Sequence, residues 1–145
     1  MNEDNLKPNV LFWILGVIFL LWNLMGCGIY LMDTMMSDAA YLDAYGAEMA
    51  AAREFYPTWA TAFYAIAVWG GLVAAILFLM RRGLSVTLFA VSLVAAVICF
   101  IPNFTNEVIR DAGGSTFWMM PLIVVVLGIV EVLYSRKQAS KGILR

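Results

Sequence analysis

The sequence predicts an all-α membrane protein: a bundle of four transmembrane helices with an extracytoplasmic amphipathic helix between the first and the second. Three observations lead there. Of 145 residues, 63% are apolar and only 13% charged, against about 45–50% and ~25% in soluble domains. Four long stretches, 10–32, 57–80, 84–101 and 117–134, hold a single charged residue between them, Glu131. A bilayer core of about 30 Å needs roughly 20 helical residues, and these stretches meet or approach that length. Basic residues also sit almost wholly to one side of the four stretches. This composition excludes an ordinary soluble globule, a disordered tail and a basic module for nucleic acid. The length allows one integral membrane domain over 1–145.

The first span, 10–32, carries Trp22 and Asn23 near its middle. An amide at that depth needs a partner, so Asn23 is a candidate for a hydrogen bond between helices or for contact with a solute. Leu24-Met25-Gly26-Cys27 resembles a lipoprotein cleavage box. Met25 stands where a small or β-branched residue is usual, and residues 1–8 hold Glu3 and Asp4 against Lys7, so cleavage is not expected.

Residues 33–56 follow. Met35, Ala39, Leu42, Tyr45, Met49, Ala52 and Tyr56 recur at helical spacing, with Asp38, Asp43 and Glu48 mostly off that stripe. This predicts an amphipathic helix over 37–56, capped by Ser37 and ended by Pro57. It covers the end of the bundle, or acts as a lid, or docks a partner through Asp38, Asp43 and Glu48.

The second span, 57–80, places Ala67, Gly71 and Ala75 every four residues, and the third, 84–101, repeats the pattern with Ser92 and Ala96. Such spacing permits close helix contact within the bundle or between subunits. Tyr64 and Trp69 add polar-edged aromatics that could line a site with Trp22 and Asn23. The segment 102–116 reads as a polar loop turning at Gly113-Gly114. In the fourth span, 117–134, Glu131 is expected to snorkel, to pair with Arg81, Arg82 or Arg136, or to serve function. Cys27 and Cys99 fall at similar depths and form either a disulfide or two buried thiols.

Seven of the nine basic residues, Lys7, Arg81, Arg82, Arg136, Lys137, Lys141 and Arg145, flank one side. Basic loops stay in the cytoplasm, which places both termini there. Arg53 and Arg110 face seven acids on the other side, Asp33, Asp38, Asp43, Glu48, Glu54, Glu107 and Asp111. The chain has no histidine, which removes histidine metal sites and catalytic triads. No phosphate-binding glycine loop is present either. Neither an enzyme activity nor a cofactor or metal site is expected.

Leu21-Trp22-Asn23-Leu24-Met25-Gly26, Pro57-Thr58-Trp59-Ala60 and Ala65-Ile66-Ala67-Val68-Trp69-Gly70-Gly71 resemble a group of small bacterial four-span membrane proteins. Those proteins often carry an automatic "sugar transporter" label. The resemblance implies a multi-pass protein of the bacterial inner membrane, working as a homo-oligomer and moving a small solute. The alternative is a non-catalytic accessory or scaffold subunit of a larger membrane complex. A proton-coupled exporter of the small multidrug type is not expected, because the first span has no acid.

Overall fold

A computed structural model describes residues 7–145, and among them the chain is helical with no strand. Glu3 and Asp4 lie outside the described residues. Four segments are long and apolar enough to cross a membrane: Val10–Met35, Thr58–Leu79, Leu84–Thr105 and Gly114–Ser140. Large apolar side chains such as Val10, Leu21, Leu84 and Leu133 stand more than half exposed on the outside of the bundle. An apolar surface of that extent suits lipid rather than water, which supports a multi-pass membrane protein.

Helix α1 (Val10–Met35) begins on Asn9, whose side chain accepts from the Phe12 amide at 3.0 Å. It climbs from the end we call the base to the opposite end, the crown. There Ser37 caps α2 (Asp38–Arg53). α3 (Thr58–Leu79) descends, a tight turn follows, and α4 (Leu84–Cys99) climbs back. Two short helices, α5 (Ile101–Thr105) and α6 (Glu107–Ala112), and a 3-10 turn (Gly114–Thr116) cross the crown before α7 (Met119–Ser140) descends. α3 packs on both α1 and α4, and α4 packs on α7. The small residues of α3 and α4 make the tightest of these interfaces possible. Ala67, Ala74, Ala75 and Ala96 are all buried, and Ser92 Oγ donates to the Ala67 carbonyl at 2.6 Å.

Three expectations are corrected. The amphipathic helix over 37–56 is broken at Gly46, whose φ of 83° and ψ of 171° only glycine adopts easily. After the break the expected stripe holds, with Met49, Ala52 and Tyr56 turned inward; before it Ala39, Leu42 and Tyr45 are exposed and Tyr41 turns inward instead. The polar loop 102–116 is instead two short helices. Asn106 separates them and caps the second, accepting from the Val108 amide at 3.0 Å. Ile109 of α6 is buried and lies where α2 packs. The fourth span continues well past residue 134, carrying Arg136, Lys137 and Gln138 on the same helix.

The base is filled with rings. Phe12 stacks on Phe78 at 4.5 Å, and Phe19, Phe89 and Tyr134 meet these or one another at about 6 Å. Ile143 and Leu144 fold back onto this cluster. The tail is held there by main-chain bonds: the Gly83 amide donates to the Arg145 carbonyl at 2.7 Å and the Arg145 amide to the Arg81 carbonyl at 2.8 Å. Arg81 has a left-handed backbone, φ 61°. These bonds, and one from Arg81 Nε to the Ile143 carbonyl at 3.1 Å, offset its strain.

Candidate functional site

Above the aromatic base the filling changes. Gly26 of α1, Ala60 and Ala67 of α3 and Ala96 of α4 occupy the inner face, and between them lies a cavity of about 580 Å³. Cavities of roughly 300–1,000 Å³ accommodate small-molecule ligands. Its walls carry aromatic surface from Trp22, Tyr41, Tyr56 and Tyr64 and polar groups from Asn23, Thr61 and Asn103; α7 closes one side with Met120 and Val124.

Asn23 forms the floor. It is 7% exposed, and its Nδ2 donates to the Phe19 carbonyl at 2.9 Å and to Glu131 Oε1 at 2.7 Å. The second bond joins α1 to α7, helices that otherwise touch little. Gly71 makes it possible, because a Cβ there would collide with Asn23 Oδ1 and come within 3.0 Å of Ser92 Oγ. The expectation that Glu131 pairs with Arg81, Arg82 or Arg136 is therefore corrected. Ion pairs among the described residues are confined to Arg53 with Asp38 and Arg110 with Glu107 and Asp111. Glu131, 5% exposed, takes a neutral amide as its partner.

Arg53 forms the roof. Its guanidinium donates to the Asp33 carbonyl at 2.7 Å and the Met36 carbonyl at 3.2 Å, satisfying the open C-terminal end of α1. It also bonds Asp38 Oδ1 at 3.2 Å and lies 4.6 Å above the Tyr41 ring. Tyr56 stands beside it and donates to Asn103 Oδ1 at 3.1 Å, tying the end of the α2 segment to α5. Burial pushes the Tyr56 hydroxyl up to about 12, against the downward pull of the Asn103 bond. Burial likewise raises Tyr41, with the negative charge of Asp33 adding to it and Arg53 opposing. Both phenols are neutral at physiological pH and present donors as well as acceptors.

Of the residues singled out in the sequence, Trp22, Asn23 and Tyr64 meet at this cavity. Trp69 does not: it is 42% exposed on the outside of α3. Asp38, Asp43 and Glu48 are exposed on α2 away from the cavity, and Asp38 is engaged by Arg53. Cys27 and Cys99 are free thiols, the first donating to the Val68 carbonyl at 3.3 Å and the second to the Ala96 carbonyl at 3.2 Å. Among the described residues no three cysteine, aspartate or glutamate side chains gather to hold a metal ion. Sequence reasoning missed Arg53, Tyr41 and Asn103. The signal for Arg53 was present, since it is one of two cations facing seven acids and is placed where a helix C-terminus needs donors.

Comparison with protein-family models, with curated proteins and with solved structures gave no match.

Proposed function

We propose that the chain is a small integral membrane protein of the bacterial inner membrane that binds a small uncharged polar solute in the crown-side cavity and moves it as part of a homo-oligomer. The observation that carries this reading is the chemistry of the lining. Flat aromatic faces from Trp22, Tyr56 and Tyr64 lie beside hydroxyl and amide groups from Thr61 and Asn103, with small residues leaving the volume open. Carbohydrates offer alternating C–H faces and hydroxyls that such walls match, which agrees with the sugar label of the bacterial group the first two spans resemble. In this reading the base is cytoplasmic and the crown with α2 is extracytoplasmic, as the basic residues indicate. Four spans are few for a complete pathway, and the oligomer supplies the remainder.

The Tyr64 hydroxyl has no hydrogen-bond partner among the described residues, so it is available to a solute. Tyr64→Phe leaves the fold intact and removes only that group. In proteoliposomes tested with a panel of labelled mono- and disaccharides, the substitution is expected to lower uptake of the transported sugar about tenfold at unchanged protein abundance. No uptake of any sugar by the wild-type protein would sink the transport reading.

One observation favours a second reading. The outer face of α2 exposes Leu42 at 45% and Tyr45 at 43% beside Asp43 and Glu48, an arrangement suited to docking a larger membrane subunit. Native electrophoresis of gently extracted protein separates the two. Bands holding only small multiples of the 16.1 kDa chain support the transporter. Stoichiometric co-migration with larger subunits, weakened by Asp43→Lys and Glu48→Lys, supports the accessory subunit.

A further inference from the structure

A second cavity, of about 520 Å³, opens at the base between the start of α1 and the end of α7. Its lining brings Lys7 together with Lys137 and Lys141, and none of the described residues lining it is acidic. No described carboxylate lies within ion-pair distance of any of the three. Gln138 lines the same cavity. It is 4% exposed, yet no described residue hydrogen-bonds its side-chain amide. The amide opens into the cavity and offers its donor and acceptor to whatever occupies it. Leu11 and Ile143 line the wall beside these groups and give the cavity an apolar side.

We propose that this cavity binds the phosphate of an anionic phospholipid headgroup, with Lys7, Lys137 and Lys141 neutralising the charge and the Gln138 amide donating to a phosphate oxygen. Depth in the membrane argues for a lipid over a soluble phosphate ester. Lys7 lies three residues before α1 starts at Val10, and α7 passes from apolar residues to Arg136 and Lys137 within one turn of Tyr134. The lysines thus flank the hydrocarbon at the level where phosphates lie, and exposed Leu11 offers the acyl chains an apolar neighbour. The inference rests on the membrane reading but not on the solute one. It holds equally for a transporter or an accessory subunit.

Native mass spectrometry of the full chain in mild detergent, titrated with phosphatidylglycerol, tests it. One phosphatidylglycerol is expected to remain bound under conditions that strip phosphatidylcholine. Lys141→Gln and Lys137→Gln should each weaken it about fivefold. Gln138→Met, which changes no charge, should weaken it about tenfold with an unchanged melting temperature in phosphatidylcholine-containing micelles. Arg136→Gln removes a nearby charge outside the cavity and is expected to leave the bound lipid in place. Equal losses from Arg136→Gln and Lys141→Gln would reduce the effect to general attraction and overturn the site. So would full retention by Gln138→Met. Displacement of the lipid by millimolar inorganic phosphate alone would assign the cavity to a soluble anion and overturn the lipid.

Discussion

The lower and upper halves of the bundle are built from the same four long helices, yet their centres are filled in opposite ways, the base cavity lying to one side between the ends of α1 and α7. In the lower half Phe12, Phe19, Phe78, Phe89 and Tyr134 interlock. In the upper half Gly26, Ala60, Ala67 and Ala96 leave a cavity ringed by aromatic and polar groups. The boundary is the Asn23–Glu131 bond. In lipid there is little hydrophobic drive between helices, so close packing and interhelical hydrogen bonds must hold them. Concentrating the aromatic packing below the boundary, with only the close α3–α4 contact continuing above it, leaves the rest of the upper half free to trade contacts for space. The crown then needs other ties, and Arg53 and Tyr56 supply them through hydrogen bonds across α1, α2 and α5.

The largest expected effect comes from opening the lower half. Phe78→Ala removes a ring that meets Phe12, Phe19, Phe89 and Tyr134 and should destabilise the protein by about 3–5 kcal/mol, read by denaturation in detergent. A loss below 1 kcal/mol would mean that the aromatic cluster is not the anchor.

Next in size is a paired substitution that sets the halves against each other. Ala75→Val at a fully buried site below the boundary should cost about 1–3 kcal/mol by overpacking. Thr61→Leu, at a half-buried site that lines the cavity, should cost less than about 0.5 kcal/mol while reducing the room for solute. Equal costs at the two sites would erase the distinction between a filled and an open half.

Smallest of the three is Ser85→Ala. Ser85 is 0% exposed near the base, and its Oγ has no partner among the described residues. Removing the hydroxyl should be neutral or stabilising by up to about 1 kcal/mol in the same assay. A clear loss of stability would reveal a bond to a group outside the described residues.

The four spans were legible because apolar length is nearly sufficient to define a membrane helix, and 57–80 became Thr58–Leu79 with almost no adjustment. The close approach of α3 and α4 was legible in Ala67, Gly71, Ser92 and Ala96, since small residues at fourfold spacing serve few other purposes in lipid. Pairings across the bundle were not. A helix apolar on all sides gives no rotational phase, so nothing in the sequence turned Asn23 toward Glu131 or Trp69 away from the cavity. The break at Gly46 was legible only as a weak point. One glycine in a helical pattern weakens a helix without announcing that its φ will become positive, and that reversal moved the inward face of the first half of α2 from Leu42 to Tyr41.

The bond that closes the bundle also bears on how the chain is made. Asn23 and Glu131 are separated by 108 residues, a length that takes about 5–20 s to synthesise at ordinary rates of ~5–20 residues per second. For that interval α1 sits in the membrane with an amide whose final partner does not yet exist. The Asn23 bond to the Phe19 carbonyl, one turn back on the same helix, is the only one of its two that α1 can make alone. The order of synthesis therefore keeps this bond from forming until α7 has been made, and leaves α1 a helix that must wait.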